Sequence, residues 1–279
     1  MSVAAALPAA DSVRARSRTE NFSVASLLLG GARAPLLAVY DYARFIDELG
    51  DTVEGDRLAA LDGAELELAR AFDGTATAPI FANLTPTIRA CSLGPEPFLR
   101  LIEANRRDQT HHDYATFEEL VAYCDLSANP VGELVLAVFG ARTPERVALS
   151  NDVCTALQVI EHLQDVGEDA RNGRIYLPRE DRDRFGVGDD ELLGPAASDQ
   201  LRRLITWEAD RSAKLLASGI ALVRSLHGRA RFAVAGYVGG GRATLGAIER
   251  ARYDVLTATP AASSAQKLRA TLGVLKETM

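Results

Sequence analysis

Two short acidic runs hold the residues best suited to chemistry. In Tyr40-Asp41-Tyr42-Ala43-Arg44-Phe45-Ile46-Asp47-Glu48-Leu49-Gly50-Asp51, a helical repeat places Tyr40, Arg44, Asp47 and Asp51 in one narrow stripe. Leu36, Leu37, Val39, Ala43 and Ile46 supply apolar neighbours, so the spacing predicts a buried stripe with two carboxylates one turn apart and an arginine. Such a stripe is costly unless something compensates its charge. A divalent metal would compensate the carboxylates and an anionic ligand the arginine. Far away in sequence, Gln158, Glu161, Asp165 and Asp169 share one face of a second predicted helix. Facing each other, two such helices would make a metal and diphosphate site.

Mg²⁺ takes hard oxygen ligands and keeps several waters, so one or two carboxylates per ion suffice. Asp47 and Asp51 stack one turn apart, and Glu48 falls at the edge of their face. By itself such a D-E-x-x-D is more often a solvated helix face. The second run changes the balance. Asp165 and Asp169 again lie one turn apart, and Glu168 falls on the rim of their stripe. Glu161 lies on that stripe, while Gln158 and His162 are candidates to support it from behind. Asn172-Gly173 predicts a left-handed helix end, which would swing Arg174 back towards the mouth of the acidic face. Arg174 and Arg44 would then contact diphosphate oxygens that the metal leaves open.

The elements that must position these groups all read as helices. Period-2 alternation is absent, and Ala, Leu, Arg and Glu are abundant. Helices are expected near 22–30, 35–51, 56–72, 79–91, 95–108, 116–139, 144–169, 199–227, 229–250 and 262–277. Thr116 with Glu119 reads as a capping box, and Thr143 ahead of Pro144 as a second helix start. Pro130 inside the predicted 116–139 helix removes a hydrogen bond and meets the Leu126 carbonyl, at about 3 kcal/mol. A kink is expected there, with Gly132 allowing close approach. Residues 178–198 form the longest irregular stretch, read as a lid or surface connection. The first 18 residues are expected to be a flexible tail.

Charge and composition exclude several functions. The net charge is −7, from 31 basic and 38 acidic residues, with no long basic run, which argues against a nucleic-acid partner. Cys91, Cys124 and Cys154 lack C-x-x-C spacing and read as reduced structural thiols, so a cytoplasmic protein is expected. No stretch is apolar for the roughly 20 residues a membrane span needs, and the N-terminal apolar part precedes its arginines, the reverse of a signal peptide. Gly239-Gly240-Gly241 is not a G-x-G-x-x-G turn after a strand, so no Rossmann dinucleotide site can be argued. The absence of Glu-x-x-His counts against a di-iron bundle. His111, His112 and His227 read as exposed.

The pair DELGD and DVGEDARNGRIYLP resembles the two signatures of the squalene and phytoene synthase family, the head-to-head isoprenyl diphosphate synthases. The resemblance runs in order along residues 18–260, through Ser17 to Phe22, YDYARFIDELGD, Tyr114 to Leu120 and YCDLSANPVG to the second acidic run. The segments ENFSVAS, SANPVG, LQVIEHLQDV and GRARFAVAGYVGGGRATL are similar to the bacterial hydroxysqualene synthases of hopanoid pathways. Most members of the family carry Asn where this chain has Glu161, so the part that residue plays stays open.

The resemblance implies an all-α isoprenoid synthase (terpenoid synthase) bundle with a central cavity, a single domain over residues 19–279. It implies Mg²⁺ held by Asp47, Glu48, Asp51, Asp165, Glu168 and Asp169, and diphosphate contacts from Arg44, Arg174 and Asn21. Tyr123 would line the catalytic cavity and Tyr40 would stand beside the first acidic run. For both phenols, core packing remains the alternative, and it is the safer reading for Tyr176 and Tyr253. The expected reaction is ionisation of presqualene diphosphate with water capture, giving hydroxysqualene. Condensation of two prenyl diphosphates to presqualene diphosphate, squalene or phytoene is the alternative within the class. A non-catalytic helical carrier on the same fold is the alternative outside it, and a terpene cyclase is weaker than either. Release of so apolar a product implies peripheral membrane contact; the oligomeric state is left open.

Overall fold

The computed structural model describes residues 27–279. Among them are α1 (Arg33–Asp51), α2 (Arg57–Asp73), α3 (Pro79–Cys91), α4 (Glu96–Arg107), α5 (Phe117–Ser127), α6 (Asn129–Val138) and α7 (Pro144–Arg171). Then follow α8 (Arg179–Phe185), α9 (Asp199–Ser225), α10 (Gly228–Arg250) and α11 (Ser264–Glu277), with no strand among the described residues. The all-α expectation is borne out. The helix expected at 22–30 falls partly outside the described residues; from Leu27 to Ala32 the chain forms a 3-10 segment broken at Gly30, where φ is 52°.

Local signals start the helices where they were expected. Asp56, Ser198 and Ser263 accept hydrogen bonds from the backbone N–H groups of Ala59, Leu201 and Gln266. Thr143 accepts from the Arg146 N–H at 3.3 Å. Thr116 accepts from the Glu119 N–H at 3.2 Å, but the Glu119 carboxylate reaches the Ala115 N–H at 2.8 Å, so the box is displaced by one residue. The expected kink is a full break. α5 ends at Ser127, and Pro130 stands in the first turn of α6, where its missing N–H costs nothing.

Among the described residues, 27–110 together with 125–147 form one compact unit. Its core is aromatic. Tyr42 of α1 meets Phe98 and Phe81 edge-on, with ring centroids 5.0 and 5.8 Å apart, and donates its hydroxyl to the Phe98 carbonyl at 3.0 Å. A buried carboxylate ties α2 to the start of α3. Glu67 is 6% exposed and accepts from the N–H groups of Ala78 and Thr77, both at 2.9 Å, from the Thr77 hydroxyl at 3.0 Å and from Arg70 at 2.6 Å. Burial alone would raise its pKa, but these donors, Ala78 first, outweigh burial and hold it down at about 2. The folded pKa lies below the unfolded one, so this stability is present above the unfolded pKa of 4.5 and is lost as pH falls towards 2. Glu67→Gln is expected to cost roughly 2 kcal/mol at pH 7. In urea titrations, the gap between wild type and variant should close on acidification.

Residues 111–124 and 148–279 form the second unit. The three consecutive glycines of α10 are packing positions. A Cβ at Gly239 would come within 2.6 Å of the Thr271 backbone of α11, and one at Gly241 within 2.7 Å of Leu157 of α7. Residues 178–198 are more ordered than their composition suggested, since they contain α8 and a 3-10 turn, Asp189–Leu193. Nonlocal ion pairs organise them. Arg182, 4% exposed, binds Asp113 at 2.7 Å, the Leu177 carbonyl at 3.1 Å and also Asp189. Asp181, 3% exposed, binds Arg211 of α9 at 2.9 Å, and Arg211 also lies over the Phe117 ring. Beside them Glu208 is pushed up to about 8, by burial first and then by the Asp181 charge, although Arg211 opposes the shift.

Candidate active site

In the first unit, α1 places Arg44 and Asp47 side by side: Arg44 Nη1 donates to Asp47 Oδ2 at 3.3 Å. Asn105 of α4 donates to the other oxygen, Asp47 Oδ1, at 3.3 Å, and to the Leu101 carbonyl at 3.1 Å. Gly50 lets that asparagine approach, since a Cβ there would fall 2.2 Å from Asn105 Oδ1. Gln109 closes the same corner by donating to the Gly50 carbonyl at 3.0 Å. Asp47 is therefore held in one orientation by groups on two helices. Asn105 and Gln109 were not foreseen. Their only sequence signal is a pair of amides one turn apart near the end of an amphipathic helix.

The degree of burial differs from the expectation of a buried stripe. The Asp47 side chain keeps 41% of its exposure, and Asp51 at the helix end is exposed. Glu48, expected at the edge of the face, is 7% exposed and belongs to the buried side of α1. The packing on α1 is centred on Tyr42, Phe45 and Leu49, which rotates Glu48 inward and leaves Asp47 and Asp51 to the wetter face. Tyr40 is half-buried one turn before Arg44. Asn21 lies outside the described residues.

In the second unit, α7 carries the other acidic run. Asp165 and Asp169 are half-buried, whereas Glu161 and Glu168 are exposed. The Asp165 carboxyl is raised to about 6, first by burial and then by Asp169, Glu161 and Glu168, with His162 opposing. His162 stands behind the stripe, its Nδ1 3.7 Å from Asp169 Oδ2 and its Nε2 3.1 Å from the Gln158 side-chain nitrogen. Its ring stacks on Tyr176 with centroids 3.6 Å apart and planes 10° from parallel. Tyr176 in turn touches Tyr114 at 5.7 Å and Tyr123 at 5.9 Å, and His111 meets Tyr114 at 5.1 Å. Tyr123 is thus a buried member of an aromatic cluster that reaches the acidic stripe through Tyr176 and His162. Tyr176 is more central to the site than its sequence context suggested. His111, expected exposed, is half-buried by this cluster.

The predicted end of α7 is present. Gly173 has φ 76°, and the Arg174 N–H donates back to the Asp169 carbonyl at 2.9 Å. Arg174 therefore begins beside the last turn of the acidic face, half-buried.

The donor chemistry fits a divalent cation. Four carboxylates crowd one stretch of α7, and burial first, then the repulsion among them, raises Asp165 to about 6, a charge cost that a cation would relieve. Among the described residues no three His, Cys, Asp or Glu side chains are gathered into a metal cage. Mg²⁺ does not require one, because it is commonly held by one or two carboxylates with water and substrate phosphate oxygens completing its shell.

Comparison with known proteins adds an independent line. The model of the squalene/phytoene synthase family matches residues 15–270. A 15-cis-phytoene synthase of Synechococcus elongatus is 31% identical over 85% of this chain and 82% of its own. A hydroxysqualene synthase of Rhodopseudomonas palustris is 35% identical over 72% of this chain and 70% of its own. The crystal structure of squalene synthase HpnC from Alicyclobacillus acidocaldarius superposes with a TM-score of 0.81 at 45% identity, covering 90% of this chain and 99% of that one.

Proposed function

The chain belongs to the squalene/phytoene synthase family, enzymes that process prenyl diphosphates, and from that premise we propose that it converts presqualene diphosphate to hydroxysqualene in a Mg²⁺-dependent reaction. The carrying observation is the crowded carboxylate face of α7, with Asp165 raised to about 6 by burial and by its neighbours. Asp165, Asp169 and Glu168 on α7, and Asp47 and Asp51 on α1, are the proposed metal ligands, and Glu48, turned inward, is not among them. When bound, the metal supplies Lewis-acid stabilisation of the charge that gathers on the departing diphosphate.

The chain's own residues do the rest. Arg44 and Arg174 bind diphosphate oxygens and hold the leaving group in place as the carbon–oxygen bond breaks with its electron pair. Asn105 and Arg44 fix the orientation of Asp47, while His162 and Gln158 support the α7 stripe from behind. Buried Tyr123 presents a phenol from the aromatic cluster, with Tyr40 a second phenol near the first stripe. The cation survives to its intended capture only where bulk water is kept away from it. A single water then adds its oxygen to the cation and releases a proton.

The similarity to a hydroxysqualene synthase favours water as the terminating nucleophile. Head-to-head condensation of two prenyl diphosphates is the second reading, favoured by the similarity to a phytoene synthase over most of the chain. Incubation with presqualene diphosphate and Mg²⁺ in ¹⁸O-labelled water separates the two. Labelled hydroxysqualene is expected without NADPH. Squalene formed only with NADPH would overturn water capture, and products from farnesyl diphosphate alone would establish the second reading.

A further inference from the structure

α11 packs on α10 through Val274, which is fully buried, and through Thr271, whose backbone lies against Gly239. Helical spacing puts Leu268, Leu272 and Leu275 in a second apolar stripe, roughly 120° around the helix from Val274. Leu268 and Leu272 are 61% and 57% exposed, so the described fold leaves this stripe uncovered. The same spacing sets exposed Arg269 and Lys276 along one edge of it. Near the other end of α11, Arg231 of α10 donates to the Thr278 carbonyl at 3.0 Å, and the residue after it, Phe232, is 57% exposed. Arg224 of α9 donates to the Glu277 carbonyl at 3.1 Å, which joins the same corner.

Charge is segregated here. Residues 224–232 and 264–279 hold six Lys or Arg and one acidic residue, in a chain whose net charge is −7. That acid, Glu277, is already engaged by Arg242 at 2.7 Å. Exposed long apolar side chains edged by cations are the pattern of a helix lying in an anionic lipid interface. A second copy of this chain would bring like charge against the same face, which opposes self-association through it. No described helix is long and apolar enough to cross a membrane.

We propose that Leu268 and Leu272 of α11, edged by Arg269 and Lys276, dock on the surface of an anionic lipid bilayer. Docking follows from exposure and charge; only its use, delivery of an apolar product to the bilayer, rests on the proposed function. Co-sedimentation with phosphatidylcholine vesicles, with and without phosphatidylglycerol, tests it in the absence of substrate and metal. Wild type is expected to bind the anionic vesicles. L268E/L272E should lose about tenfold in vesicle affinity, and R269E/K276E should fall to the level seen on neutral vesicles. Unfolding midpoints should stay put, because all four side chains are exposed. The proposal is overturned if wild type ignores anionic vesicles or if L268E/L272E binds as well as wild type. It is equally overturned if light scattering finds an oligomer that L268E/L272E dissociates while neither protein binds vesicles. No turnover is measured, so this result and the enzymatic reading stand or fall separately.

Discussion

Asp165→Asn is expected to lower turnover of the prenyl diphosphate by at least about 10²-fold while leaving the metal-free protein as stable as wild type or more so. The two effects have one cause. Asp165 is raised from 3.8 to about 6, by burial first and by Asp169, Glu161 and Glu168 after it. A carboxyl whose folded pKa lies above its unfolded value binds more protons folded than unfolded between those two values. Its contribution to stability therefore declines as pH rises from about 4 to 6, and it remains a net cost at pH 7. After allowance for solvent screening of a half-buried group, that cost is about 1–2 kcal/mol. Asparagine removes the charge and with it the cost. Thermal unfolding without metal should show an equal or higher midpoint for the variant at pH 7, with the difference vanishing near pH 4. With Mg²⁺ and a diphosphate analogue together, wild type should gain stability and the variant much less. A variant that turns over normally at limiting Mg²⁺ would remove Asp165 from the proposed ligand set.

Arg182→Ala is expected to destabilise the protein by about 3 kcal/mol, although no acidic-site residue is touched. Arg182 is buried and joins Asp113 at 2.7 Å to the Leu177 carbonyl at 3.1 Å, with Asp189 as a third partner. Its loss strands a buried carbonyl and leaves Asp113 to Arg179, which is more exposed. The segments tied together in this way carry Tyr114 and Tyr176. The variant should therefore lose near-ultraviolet aromatic ellipticity, and its urea midpoint should fall with little change in slope. An unchanged midpoint would mean that solvent replaces the network without cost.

These two residues mark the limit of what could be read in advance. Asp165 was legible because its chemistry is local: carboxylates one turn apart on a helical repeat, followed by an Asn-Gly end and an arginine. The left-handed turn at Gly173 and the start at Thr143 were legible for the same reason, since a cap is decided by neighbours three or four residues away. Arg182 was hidden in a stretch of Gly, Pro and charge that reads as irregular. Its partners Asp113 and Asp189 are ordinary surface residues until the fold brings them together.

Periodicity and capping in the chain by itself were enough to determine an all-helical architecture, the approximate helix bounds and the two acidic stripes, while the family was indicated by the resemblance of the motifs on those stripes. Which side of each stripe faces the core was a different matter. That depends on how strongly the neighbouring helices pull on a given sector, and on α1 the Tyr42–Phe98–Phe81 cluster turned Glu48 inward and left Asp51 in solvent. The support of Asp47 by Asn105, the stacking of His162 on Tyr176 and the order of residues 178–198 were likewise decided only in three dimensions. Each joins groups distant in sequence, and side-chain hydrogen bonds and ring contacts of that kind leave no periodic trace in the chain.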